Sequence, residues 1–267
     1  MWQYLIDKYY NFKSKEWVYI PPTLRLGYER NIMKYMGSKA RIAKHILPII
    51  LKNRKEGQCY VEPFVGGANM IDKVDGWRIG SDSNEHLISA MKLIKENPES
   101  LPKDTTEYTR DMYLSAKDKI LLSPLECLAM FAYSFSGKFK GGYAKGHPHE
   151  DFQRAARNNA IKQSPLLQGV DFITCGYSEL DIPPCSKVYC DPPYANTTKY
   201  KDNFDHELFW DWCRDKVNEG HEVFISEYNA PDDFVCVWKK EIQSGLNTNT
   251  TKKGVEKLFV HESQYGK

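Results

Sequence analysis

Short β-type apolar runs alternate with helical repeats along most of this chain. Cys59-Tyr60-Val61 is a compact apolar run ahead of Gly66-Gly67, and Arg78-Ile79-Gly80-Ser81 predicts a second strand. Leu87, Ile88, Met91 and Ile94 recur at helical spacing until Asn97-Pro98 stops the helix. Ser123-Pro124-Leu125-Glu126 is a capping box with proline at the first helical position, and it opens a helix through Ala132. Lys187-Val188-Tyr189-Cys190 predicts a strand that runs into Asp191-Pro192-Pro193. Asp205 caps a helix that stops at Gly220, before a strand from Glu222 to Ser226. This alternation predicts an α/β fold, a mostly parallel sheet with helices on both faces.

One segment breaks the rhythm. Between about 100 and 170 the pattern is helical and then glycine-rich and aromatic, from Phe135 to Tyr143, which predicts an insertion carrying a hairpin or loop. The first 30 residues, aromatic and with Pro21-Pro22, have the look of an extension. The expected organisation is therefore an extension over 1–30, a core domain over 31–100 and 170–267, and an insert over 101–169.

Composition adds limits. A length of 267 residues supports a large core without disulfides or a structural metal. Seven cysteines, scattered and without a CxxC pair, argue against a disulfide framework and a zinc site, and reduced thiols fit the cytoplasm. The N-terminus lacks the apolar run of a signal peptide, and the longest aliphatic stretch, near Ile46 to Leu51, is far too short for a membrane. The net charge of +2 looks uninformative, but its distribution is uneven. Residues 30–55 hold eight Lys or Arg and no acid; residues 133–165 hold six against two. Two basic faces are thus hidden in a near-neutral total.

Two stretches carry chemistry. Glu62-Pro63-Phe64-Val65-Gly66-Gly67 follows a strand, where glycines let a backbone approach a ligand, and Asp82 ends the next strand, placed for ribose hydroxyls. Neither GxGxxG nor the phosphate loop is present, so the expected ligand has a ribose but no pyrophosphate recognised in the usual way. S-adenosyl-L-methionine fits that description. The second stretch is Asp191-Pro192-Pro193-Tyr194. Its prolines remove two backbone donors and fix φ, so the Pro192 carbonyl is presented as an acceptor beside the Asp191 carboxylate. Two acceptors match the two hydrogens of an exocyclic amine, and Tyr194 offers a ring for stacking. The chemistry is a direct methyl transfer driven by positioning and electrostatics. Pro184-Cys185 precedes its strand and reads as a turn, not as the nucleophile of cytosine-C5 methylation.

With these stretches in order, the sequence resembles the Dam-like, D12 class DNA adenine-N6 methyltransferases. The resemblance spans about 33 to 262 and rests on Lys34-Tyr35-Met36-Gly37-Ser38-Lys39, Glu62 to Gly67, Ser81-Asp82-Ser83-Asn84, Cys190 to Tyr194, and Ser226-Glu227-Tyr228-Asn229-Ala230-Pro231. The stretch from Phe135 to Gly146 is similar to bacteriophage or prophage members. The resemblance implies a Rossmann-like class I methyltransferase sheet with a mainly helical target-recognition insert. It implies that Tyr35, Lys39, Glu62, Pro63, Phe64, Gly66, Asp82, Tyr177 and Asp191 bind S-adenosyl-L-methionine. It assigns the target amine to Asp191 and Pro192, with Pro193 and Tyr194 completing the catalytic motif. The implied partner is double-stranded DNA, with the target adenine flipped out of the duplex.

The basic and aromatic residues of the insert, Lys138, Lys140, Tyr143, Lys145, Arg154 and Arg157, are the expected DNA contacts; His147 and His149 read as loop histidines. No metal and no membrane are expected, and the expected state is a monomer or weak dimer in the cytoplasm of a bacterium or phage-infected cell, in a restriction-modification or phage setting. Two features depart from the resemblance. The insert lacks the Asn-Gly-Leu and Arg-Tyr-Asn pattern of members that read GATC, and Glu227 stands where Asn is common. Other readings of the same fold are an RNA-base or protein-amide methyltransferase, or a catalytically dead DNA-binding protein.

Overall fold

The computed structural model describes residues 8–11, 16–19, 33–144, 151–194, 204–243 and 253–265. In chain order the elements are β1 (Lys8–Asn11), β2 (Glu16–Tyr19), α1 (Ala40–Ile50), β3 (Tyr60–Glu62), β4 (Arg78–Asp82), α2 (Glu85–Glu96), α3 (Arg110–Lys117), α4 (Pro124–Ala132), α5 (Phe152–Leu167), β5 (Val170–Thr174), β6 (Lys187–Cys190), α6 (His206–Asn218), β7 (Glu222–Glu227), β8 (Phe234–Gln243) and β9 (Lys253–His261). The chain divides into two compact units. One holds residues 1–44, 67–75 and 93–168; the other holds 45–66, 76–92 and 169–267. Segments 33–44 and 67–75 cluster with the region around 101–168.

The second unit is built on one seven-stranded sheet, in the order β5-β4-β3-β6-β7-β9-β8. Neighbours from β5 to β7 pair in parallel, and β9 pairs antiparallel with both β7 and β8. The sheet is therefore mixed, with an antiparallel pair at one edge that the expected mostly parallel sheet did not include. Val61, Val188, Val223 and Ile225 are fully buried against Phe209 and Cys213 of α6. Trp210 joins this core and packs on Phe234 at 4.7 Å. Local signals placed the elements well. Ser123 Oγ accepts from the Glu126 N–H while the Glu126 carboxylate accepts from the Ser123 N–H, so the capping box is complete. Asp205 Oδ1 accepts from the N–H groups of Glu207 and Leu208 and starts α6. Strand β3 begins one residue later than the apolar run suggested, so Glu62 is its last residue.

The first unit packs α3, α4 and α5 with a short hairpin. Phe135 N–H donates to the Gly142 carbonyl at 2.8 Å and Ala144 N–H to that of Tyr133 at 2.9 Å, so the glycine-rich aromatic stretch is a hairpin. Gly137 turns it at φ 70, in the left-handed region that glycine tolerates. The buried side chain of Gln153 donates to the Tyr108 carbonyl and the Tyr143 hydroxyl. Strands β1 and β2 form an antiparallel pair within the N-terminal stretch expected to be an extension.

Candidate active site

Strands β3, β4 and β6 lie side by side and point the same way, with Val61 opposite Ile79 on one side and Val188 on the other. Their carboxyl ends therefore open at one edge of the sheet, carrying Glu62, Asp82 and Asp191 respectively. The loop after β3 is tied to β4: Val65 N–H donates to the Ser81 carbonyl at 2.8 Å, and Gly66 N–H to Asp82 Oδ2 at 3.3 Å. Gly66 sits at φ 50, so the loop turns where a side chain would strain it. The other Asp82 oxygen, Oδ1, accepts from Asn84 N–H at 3.0 Å. Burial pushes the Asp82 carboxyl above the ordinary aspartate range, while these two N–H donors oppose the shift. Each oxygen thus holds one backbone donor and has lone pairs left for others.

Glu62 is 2 % exposed and accepts from the Tyr60 hydroxyl at 2.8 Å. Phe64 stacks on Tyr177 with ring centroids 5.4 Å apart, and Phe204 and Phe209 close on the same pair. Trp212 meets Tyr177 edge-on at 5.3 Å, a packing role consistent with its place on α6. Pro63 is buried, and its carbonyl accepts from Ser81 Oγ. Glu62, Pro63, Phe64, Gly66, Asp82 and Tyr177 are thus brought together in one unit. This donor and ring set fits a nucleoside cofactor: a carboxylate at the end of a strand for ribose hydroxyls, aromatic faces for a base, and a second buried carboxylate for a cationic group.

Asp191, Pro192, Pro193 and Tyr194 follow directly on β6, with Pro192 buried. The Tyr194 hydroxyl donates to Glu256 Oε2 at 2.8 Å, and its ring meets Tyr228 edge-on at 4.6 Å. Burial, and then the charges of Asp191 and Glu256, push the Tyr194 phenol well above its ordinary pKa. Tyr189, one strand position before Cys190, shares a 2.8 Å hydrogen bond with Ser226. Glu227, noted in the sequence as an unusual acid, is buried at the end of β7, and its carboxylate accepts from Tyr228 N–H. Cys185 lies before β6, at the sheet edge opposite Asp191, where its carbonyl accepts from Gln58. That position suits a turn residue.

The remaining predicted residues lie in the first unit. Tyr35 packs against Phe131 at 6.0 Å, and a side chain at Gly67 would meet its Cβ at 2.8 Å. Lys39 Nζ reaches the Gly37 carbonyl at 3.4 Å. Lys138 and Arg154 are exposed, and Lys140 Nζ donates to the Lys119 carbonyl. Tyr143 packs on Tyr113 at 5.2 Å and accepts from Gln153, while Phe135 is 67 % exposed. Arg157 is partly exposed, and its guanidinium donates to the Glu99 carboxylate and to the carbonyls of Glu99 and Leu101. Lys145, His147 and His149 lie outside the described residues. Sequence reasoning missed Glu256 and Gln163, which stand in no motif; only their partners, 62 and up to 130 residues away, reveal them.

An α/β chain with two loop sites side by side, at the carboxyl ends of adjacent parallel strands, has the arrangement of an open-sheet ligand-binding protein. Residues 35–121 match the family described as D12 class N6 adenine-specific DNA methyltransferase. The chain is 25% identical over 210 residues to the modification methylase StsI of Streptococcus sanguinis, a match covering 69% of this chain and 31% of that protein. It is 24% identical over 208 residues to a DNA adenine methylase of Vibrio cholerae, covering 66% of this chain and 71% of the relative. The chain thus spans about a third of the streptococcal protein's length. Among solved structures, SMU.472 in complex with SAH aligns at a TM-score of 0.32 and 11% identity, over 90% of this chain and 56% of that one.

Proposed function

We propose that this chain transfers a methyl group from S-adenosyl-L-methionine to the N6 amine of an adenine flipped out of duplex DNA. The observation that carries the proposal is the register of β3 and β6. Val61 stands opposite Val188, so the Glu62-to-Gly66 loop and the Asp191-to-Tyr194 motif leave the sheet at the same edge. In this reading Asp82 would accept from the cofactor ribose, the stacked Phe64–Tyr177 pair would offer a ring face to its base, and Glu62 would face its cationic end; Tyr35 and Lys39 are assigned to the cofactor by the family resemblance. S-adenosyl-L-methionine supplies an electrophilic methyl group on a sulfonium. The Asp191 carboxylate and the Pro192 carbonyl would accept the two hydrogens of the target amine, and Asp191 would take up the proton the nitrogen sheds as its new bond to carbon replaces the carbon–sulfur bond and S-adenosylhomocysteine leaves. The two acceptors would hold the nitrogen lone pair out of conjugation with the base and aim it at the methyl group. Proline at 192 and 193 leaves no N–H to compete for the amine. Residues 31–100 and 170–267 act as the catalytic part and 101–169 as the target-recognition insert, where Lys138, Lys140 and Arg154 serve as phosphate contacts.

Purified protein with methyl-labelled S-adenosyl-L-methionine should label unmethylated duplex DNA, with the label recovered as N6-methyladenine. Asp191→Ala should abolish the transfer. Label on cytosine, or transfer to RNA or protein in preference to DNA, would refute the proposal.

A further inference from the structure

Glu256 lies far from every sequence motif of the site, yet the fold delivers it to the catalytic loop. It sits on β9, opposite Lys240 of β8. On its other side β9 pairs with β7, where Leu258 stands opposite Ser226 and Lys257 opposite Glu227. Strand alternation puts Glu256 on the sheet face of Leu258, the face on which Ser226 meets Tyr189. Pairing with β8 holds Glu256 itself, and the β7 pairing, which ends at Lys257 opposite Glu227, sets it beside the end of β7 where Tyr228 follows. The Lys240 ammonium also lies 2.7 Å from His45 Nε2, beside Trp238.

From that position Glu256 Oε2 accepts the Tyr194 hydroxyl at 2.8 Å. Tyr194 is thereby held at two points. Its ring edge meets Tyr228 at 4.6 Å and an interplanar angle of 82°, and its tip is fixed by the carboxylate. A ring contact alone leaves rotation about the side-chain bonds; a hydrogen bond at the far end of the ring removes it. The phenol is the donor, since burial and two nearby carboxylates keep it protonated.

We propose that Glu256 is a positioning residue, which fixes the Tyr194 ring in the orientation that receives the target base. The role rests on the methyl transfer proposed above. It predicts a defect in the bound-substrate step, with cofactor affinity spared.

The test uses full-length protein, unmethylated plasmid DNA and labelled S-adenosyl-L-methionine, with S-adenosylhomocysteine binding by calorimetry as an independent measure. Glu256→Ala should lower kcat about tenfold or more, on the scale that misplacement of a reacting group commands. The KM for S-adenosyl-L-methionine and the affinity for S-adenosylhomocysteine should stay within about twofold, a split that general unfolding would not produce. Glu256→Gln keeps an acceptor for the phenol and should restore kcat to within about threefold of wild type. Tyr194→Phe removes the same hydrogen bond without touching β9, and carries the test if Glu256→Ala does not fold. Combining Tyr194→Phe with Glu256→Ala should be no slower than the slower single variant, because both delete one interaction. A wild-type kcat in Glu256→Ala or Tyr194→Phe, or full additivity in the double variant, would overturn the positioning role. A wild-type protein that labels no DNA would instead overturn the methyl-transfer reading itself.

Discussion

Gln163 of α5 is fully buried and joins three separate segments of the first unit. Its Oε1 accepts from Met33 N–H at 3.2 Å, and its Nε2 donates to the Gly67 carbonyl at 3.2 Å and to Asp72 Oδ2 at 3.3 Å. Gln163→Leu keeps the approximate volume and removes all three bonds. The bonds are at the long end of the normal range, so their own net worth is small. The larger effect is on what remains: Met33 N–H and the Gly67 carbonyl are left buried without this partner, at about 1–3 kcal/mol each. Added apolar burial returns about 1 kcal/mol. The expected loss is about 3 kcal/mol, equivalent to a drop of about 5–10 °C in Tm for a chain of this size. Urea unfolding should show a midpoint lower by about 1 M at unchanged slope. Gln168→Leu is the control. That side chain also donates to two carbonyls, those of Lys95 and Ser164, but it is exposed, and its loss should stay within about 0.5 kcal/mol. Equal midpoints for Gln163→Leu and wild type would refute the reasoning, because water would then be replacing the amide at no cost. Equal losses in the two variants would refute the role given to burial.

Two further outcomes follow from the geometry. Gly137 sits at φ 70, and a Cβ there would lie 2.7 Å from the Lys34 carbonyl oxygen, a backbone atom. Gly137→Ala should therefore cost about 3 kcal/mol or more by thermal unfolding, from left-handed strain and overpacking together; a change under about 1 kcal/mol would refute the close approach. Burial raises Asp82 above the ordinary value of 3.8, so the folded protein takes up this proton before the unfolded chain does as pH falls. Ionised Asp82 therefore costs stability at neutral pH, and that cost disappears as pH falls through the raised pKa. Ligand binding runs the other way, because ribose hydroxyls need the carboxylate. The affinity for S-adenosylhomocysteine should fall with acidity at a pH above that of an ordinary aspartate, and calorimetry on Asp82→Asn should show weak binding with that pH step removed.

Much of the element order was legible in the chain because its signals are local. A cap, a proline pair or a glycine turn acts within a few residues, so Ser123 and Glu126, Asp205, and the strand running into Asp191 could be read directly, and the structure agrees. The residues Gly66 and Asp82 could be picked out as loop and strand-end positions, while their hydrogen bond comes from the parallel pairing of β3 and β4. The antiparallel edge was not legible. The segment after β8 carries a turn dipeptide, Ser244-Gly245, but the charged, mixed pattern of β8 and β9 has no clean period of two. The partners of Arg157 were not legible for a related reason. A basic residue on a basic segment suits a polyanion, and nothing nearby in sequence reveals Glu99, 58 residues earlier, which takes its guanidinium.

What the sequence by itself determined is the order of elements and the chemistry at their ends: an acid after β4, and an acid, two prolines and a tyrosine after β6. These depend on backbone preferences and on residue types at short range. Only the tertiary structure decided which distant side chains complete them. Gln163 reaches Met33 across 130 positions, and Tyr194 reaches Glu256 across 62. Such contacts arise from strand register and helix packing, in which each pairing depends on every element folded between the partners. They leave no spacing in the sequence for a reader to find.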